Sequence, residues 1–246
     1  RVSLEVFVLS KSDIIYIMKN RYDDNIREAN QTILDLTAGN VTLRLMLAFE
    51  LLDKLKEKTD HKVIELGCGE GDLTHYLFKV IPNLEMEVLD VSAEMLSLAK
   101  TKLVNYRDKV RYIQSDANEY LKSVGNEQYD VIVSAWTIHN FIWDDKKEIF
   151  QQIFSSLKPG GTMLLMDKIY ADDPVVSQSS YDSQIARYEK LNDLVREDML
   201  AHELQDYSPE YKMSELQTKV TLESVGFKNF KIIDRIERDV VVSVQK

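Results

Sequence analysis

Val63-Ile64-Glu65-Leu66-Gly67-Cys68-Gly69-Glu70-Gly71 is a short, mostly apolar run that ends in three alternating glycines. An apolar run of this length stopping at glycines, with a helix-compatible segment Asp72 to Val80 behind it, predicts strand, tight turn and helix. Glycines at the turn let the backbone reverse sharply and approach a ligand closely. The first N–H groups of the following helix have no partners within it and face whatever occupies the turn. The spacing is GxGxG, not the GxGxxG of dinucleotide binders. Glu65 precedes the first glycine and Glu70 sits inside the turn. Two carboxylates there would repel a pyrophosphate and suit a ligand that carries positive charge.

The same alternation continues outward. Strands are expected at Met86 to Asp90, Val110 to Gln114, Tyr129 to Ser134 and Thr162 to Asp167, with helices at Ser92 to Leu103 and Lys146 to Leu157. Lys158-Pro159-Gly160-Gly161 reads as a tight turn into the fifth strand. Strands alternating with helices imply a parallel sheet covered on both faces, and apolar runs such as Asp130 to Ser134 fit strands buried twice. Phe227 to Asp234 and Val240 to Val244, joined by a charged turn, predict an antiparallel edge pair.

Residues 1–60 read as a mostly helical N-terminal cap, with Leu43, Leu47, Leu51 and Leu55 at i, i+4 spacing. Val2 to Leu9 has the texture of an added strand. Residues 61–246 form the core, interrupted at about 172–209 by a polar, lid-like insertion with a helix over Gln184 to Glu203.

The chain has 246 residues, 44% hydrophobic and 29% charged, which is ordinary globular composition. Its 41 acidic against 31 basic residues give a net charge of −10, which argues against nucleic acid as the main partner. Cys68 is the only cysteine, so neither an internal disulfide nor a cysteine metal cage can form. No metal-ligand spacing, membrane span or signal peptide is legible, and a cytoplasmic setting is expected. A homodimer is compatible with the sequence.

Asp90 ends the second strand about 20 positions past the glycines, where an acid accepts hydrogen bonds from ribose hydroxyls. Asp116 closes the third strand and is placed to read an adenine edge. VIELGCGEG, LDVSAEML, QSDANEY, YDVIVSAWTIHNF and LKPGGTMLLMD, in this order over residues 61–170, resemble the motif series of class I S-adenosylmethionine-dependent methyltransferases. The resemblance implies an α/β, Rossmann-like, seven-stranded, mostly parallel sheet whose last strand pair is inserted antiparallel. It also implies S-adenosylmethionine as cofactor and a small-molecule methyl acceptor.

On this resemblance Gly67, Gly69 and Gly71 back the methionine moiety, with Glu65 near its amino group and Cys68 a small residue between the glycines. Asp90, with Val91 and Met95 behind it, takes the ribose; Asp116 and Ala117 take the adenine; Ser134, Ala135 and Trp136 line the pocket. Tyr22, in Arg21-Tyr22-Asp23, resembles the aromatic that many relatives place over the cofactor.

Displacement at a sulfonium needs positioning above all, and a base only when the nucleophile arrives protonated. His139 is the candidate base, with a structural histidine as the alternative reading. His61, His75 and His202 are read as surface or structural residues. Asp167 and Tyr170 are candidates to face the acceptor, Asp167 equally as a cap. Tyr181, Arg187, Tyr188 and Arg196 of the insertion are candidates for an acceptor's carboxylate or ring, against a solvated helix face. Two other functions share these motifs: a carboxy-S-adenosylmethionine synthase of tRNA modification, which would aim an arginine at the methyl end, and a non-catalytic cofactor binder.

Overall fold

The structure, a computed structural model, describes residues 30–56, 60–190 and 193–246. The expected strand at Val2 to Leu9 and the candidate Tyr22 lie outside the described residues. The chain divides into two compact units, Arg1–Thr42 and Leu43–Lys246. Of the first, what is described belongs to the start of helix α1 (Asn30–Leu55). The second holds everything below.

Its strands are β1 (Val63–Leu66), β2 (Met86–Asp90), β3 (Val110–Gln114), β4 (Tyr129–Ala135), β5 (Leu157–Tyr170), β6 (Met213–Ser214), β7 (Lys228–Ile236) and β8 (Asp239–Gln245). Between them lie α2 (Asp72–Val80), α3 (Ala93–Lys102), α4 (Ala117–Val124), α5 (Trp143–Ser156), α6 (Pro174–Tyr188), α7 (Asp193–Asp206) and α8 (Glu215–Val225). The sheet runs β3-β2-β1-β4-β5-β8-β7, and β6 pairs with β5 off this path. β1 to β5 are parallel, and β8 enters antiparallel between β5 and β7. This is the expected Rossmann-like sheet with one short strand more.

Strand alternation divides the core into two layers. Val63, Val131, Val133, Leu164 and Met166 pack with Leu43, Leu47 and Leu51 of α1 and with α2. Ile64, Leu66, Ile132, Met163 and Leu165 pack on the opposite face with Leu121, Phe150, Ile153 and Leu222. Both faces are thus covered, as parallel strands require.

Two local expectations are corrected and one helix is added. Lys158 to Gly161 is not a turn before the fifth strand but a bulge within β5. Pairing jumps there from Tyr129↔Leu157 to Val131↔Thr162, with Gly160 at φ 77°. The single helix expected over Gln184 to Glu203 is two helices, α6 and α7. The first begins earlier, because Asp173 caps it by accepting from the N–H groups of Val175 and Val176 while Pro174 occupies its first turn. Helix α8 went unread; Ser214 caps it by accepting from Gln217 N–H. Ser92 caps α3 by accepting from Met95 N–H, as its position suggested.

Candidate functional site

Parallel strands bring their C-terminal ends to one edge. The order β2-β1-β4 places the switch point between β1 and β4, where open α/β sheets bind ligands. The glycine turn follows β1 there. Gly67 has φ 68°, and a side chain on it would collide with Thr137, whose hydroxyl lies 3.2 Å from the Gly67 carbonyl. Gly69 also has positive φ, yet a Cβ there would meet nothing within 4 Å, so the turn opens onto free space.

Asp90 sits at that opening, and Glu65 and Asp116 lie at or just past the ends of neighbouring parallel strands. Asp90 accepts from Gly69 N–H at 2.8 Å through one oxygen and from Ser92 N–H at 2.9 Å through the other. Each oxygen keeps a lone pair for a further donor. Asp116 caps α4 through Oδ1 alone, accepting from Asn118 and Glu119 N–H groups. Glu65 is buried, and Thr74 donates a short hydrogen bond to it. Burial pushes its carboxyl up to about 8; the Thr74 bond and the Arg44 charge pull the other way, and Asp72 and Asp90 add to the rise. Val91 is exposed, Met95 half-buried, and Ala117 and Ser134 buried. Cys68 is buried, and desolvation raises its thiol far above the ordinary range.

Trp136, just after β4, adopts φ 46°, a sparsely populated conformation that neighbouring contacts must enforce. Its backbone N–H donates to Met166 O at 2.8 Å and its indole N–H to Asp239 at 2.9 Å. The guanidinium of Arg44 lies 4.8 Å above the ring and 3.7 Å from Asp72. Arg44 was not foreseen. Only its place on the buried leucine face of α1, one residue past Leu43, hinted at it.

The second part of the site lies beside β5. The His139 ring is buried, with Nδ1 2.6 Å from Asp167. The Asp167 carboxylate also accepts from the backbone N–H groups of Ile138, His139 and Lys168. Burial acts to raise the Asp167 carboxyl, but its contacts with the His139 ring and with the N–H and ammonium of Lys168 hold it below the ordinary value. Lys146 is buried and donates to the carbonyls of His139 and Tyr211, at 3.2 and 2.8 Å, and to that of Phe141. Desolvation lowers it to about 8.

Helix α7 faces this pair. His139 Nε2 lies 4.0 Å from Asp206, and the His202 ring lies 5.9 Å from that of His139. His202 was read as unrelated to the site; α7 brings it in. His61 and His75 lie elsewhere, on the Leu55 carbonyl and against Tyr76 and Tyr106. Of the other insertion candidates, Arg187 forms a bidentate pair with Glu237 and Tyr181 stacks on Tyr207.

Residues 63–161 match a family described as a methyltransferase domain. Over this span the chain is similar to methyltransferases. An uncharacterized methyltransferase of Anoxybacillus flavithermus is 26% identical over 71% of this chain and 72% of its own length. Malonyl-[acyl-carrier protein] O-methyltransferase 2 of Ilyobacter polytropus is 32% identical over 42% of this chain and 37% of its own. The chain spans less than half the length of several other curated relatives it matches. Human N-acetylserotonin methyltransferase, solved in complex with S-adenosylmethionine, shares the fold at TM-score 0.56 and 16% identity, over 90% of this chain and 57% of its own. The donor set at the rim fits the methyltransferase cofactor: carboxylates for an ammonium, ribose hydroxyls and an adenine amine, and one guanidinium for a carboxylate. No described helix is long and apolar enough to cross a membrane.

Proposed function

We propose that this methyltransferase transfers the methyl group of S-adenosylmethionine to a small-molecule acceptor held between the glycine turn and the insertion. The observation that carries this reading is the open glycine turn with the Asp90 carboxylate bonded to it, Glu65 buried in the strand before it and Asp116 just past the third strand. When bound, the sulfonium supplies an activated methyl whose C–S bond breaks as the bond to the acceptor forms.

In this assignment Gly67, Gly69 and Gly71 let the methionine portion lie against the backbone, with Cys68 as the small residue between them. Glu65 receives the ammonium and Arg44 the carboxylate. Asp90 takes the ribose hydroxyls, flanked by Val91 and Met95, and Asp116 with Ala117 takes the adenine. Ser134, Ala135 and Trp136 wall the methyl end. His139 stands on the acceptor side: Asp167 holds Nδ1–H, so the Nε2 lone pair points away from it and is free to activate a nucleophile.

The net charge of −10 supports a small acceptor over nucleic acid, and the buried lone thiol is compatible with a reducing cytoplasm. A relative named as a malonyl-[acyl-carrier protein] O-methyltransferase favours small or carrier-bound carboxylic acids as the first acceptors to screen. The test has two stages. Mass spectrometry of the purified protein is expected to find S-adenosylmethionine or its demethylated product. A radiolabelled methyl-transfer screen over metabolite pools is then expected to label a low-mass acceptor. Recovery of a carboxylated cofactor, or of no nucleoside, would overturn the assignment.

A further inference from the structure

His139, His202 and Asp206 place one ligand atom each within 4.8 Å of one another, the only such group of histidines, cysteines and acids among the described residues. Two come from one face of α7, at i and i+4; the third comes from the short turn Ile138–Asn140 after β4. We propose that this cluster is a binding site for a divalent transition ion, with Zn2+ the best match, at the acceptor end of the methyl-transfer site. The inference rests on the placement of His139 beside the acceptor and says how that side of the site works.

Three observations carry it. First, each buried ligand already has its other atom fixed. Asp167 holds His139 Nδ1 at 2.6 Å, which leaves Nε2 as a lone pair aimed at the cluster. Lys168 holds Asp206 through Oδ2. Metal-binding imidazoles almost always carry such an outer carboxylate, which fixes ring and tautomer. Second, Asp206 Oδ1 is buried and has no hydrogen-bond partner, although the residue is only 2% exposed. An orphaned buried carboxylate oxygen is costly and calls for a cation or donor. Third, the spacings suit one ion. His202 Nε2 lies 3.7 Å from Asp206 Oδ1, and one ligand atom of each of the three residues lies within 4.8 Å of the other two. Ligands about 2.1 Å from a common ion stand roughly 3–4 Å apart.

Two imidazoles and one carboxylate are a donor set suited to Zn2+ and leave a fourth position open for an acceptor oxygen. The His202 Nε2 is 3.1 Å from the Asn140 side-chain oxygen, a contact that an ion at Nε2 would replace. With an ion bound, His139 acts through the ion, which would polarise the acceptor's oxygen.

The experiment uses the full chain, stripped with EDTA and dialysed, then titrated with Zn2+ by calorimetry and with Co2+ by visible absorption. One saturable ion per chain is expected, with the intense visible bands of low-symmetry Co2+. His202→Ala should weaken Zn2+ binding at least tenfold, and Asp206→Asn should do the same. The decision rests on His202→Ala, because its side chain is half-exposed, and circular dichroism of the variant confirms that it folds. Absence of saturable binding up to millimolar Zn2+, or equal affinity in the wild type and His202→Ala, would overturn the site. S-adenosylhomocysteine binding is measured on the same samples. Retained nucleoside binding with no ion refutes the metal site alone; loss of both in the wild type refutes the function it rests on.

Discussion

If Glu65 receives the ammonium of the cofactor, binding must ionise a carboxyl that burial has pushed up to about 8. At pH 7 the free protein then keeps about nine-tenths of this group protonated. Each pH unit below 8 costs the complex about 1.4 kcal/mol, a factor of about ten in affinity. Between pH 8 and pH 6 the affinity for S-adenosylhomocysteine, which keeps the ammonium, should fall by up to roughly a hundredfold. Calorimetry in two buffers of different ionisation enthalpy should count nearly one proton released per ligand at pH 7. Glu65→Gln should bind more weakly at pH 8 and show neither the slope nor the proton. The same shift sets a stability trend. As pH rises through the ordinary value of 4.5 the unfolded chain loses this proton, while the folded chain keeps it until about 8. Wild-type stability should therefore decline across that window relative to Glu65→Gln. Affinity constant within threefold over pH 6–8, with no proton released, would refute the pairing of Glu65 with the ammonium.

Three further outcomes are expected. Asp90→Ala should weaken S-adenosylhomocysteine binding at least tenfold, whereas His139→Ala should leave it nearly intact, both by calorimetry; a large loss in the second would put the imidazole on the cofactor. Gly67→Ala forces a Cβ to 2.3 Å from the Thr137 hydroxyl at φ 68°, and a urea melt should show a loss of about 1–3 kcal/mol. Cys68, its thiol raised and buried, should resist a disulfide reagent in the native protein and react promptly in denaturant.

The decisive half of this fold could be read from residue order alone, because strands buried on both faces are apolar runs and glycines punctuate them. Glu65, Asp90 and Asp116 were legible for the same reason: each ends, or nearly ends, a strand whose direction the βα alternation fixes. The turn at Lys158 to Gly161 was misread because proline and glycine mark a bulge and a turn with the same letters. The insertion was misread because its polar, charged texture hides the break between α6 and α7, although Asp173-Pro174 announces the first. His202 and Asp206 were out of reach. Their i, i+4 spacing says that they share a helical face, but nothing in the sequence says which neighbour that face meets. Asp167 was visible as a candidate; its tie to His139 depends on β5 lying beside β4.

The placement of β8 has a consequence for how the molecule is made. β5 finds its antiparallel neighbour only in Asp239–Gln245, across the whole of α6, α7 and α8, whereas β7 and β8 form a local hairpin. A nascent polypeptide emerging from the ribosome can zip β1 to β5 early. It must then carry an unzipped β5 flank until that late segment arrives, and such distant pairings are slow to form. Molecular chaperones, or the docking of the insertion itself, would have their most useful work in shielding that flank.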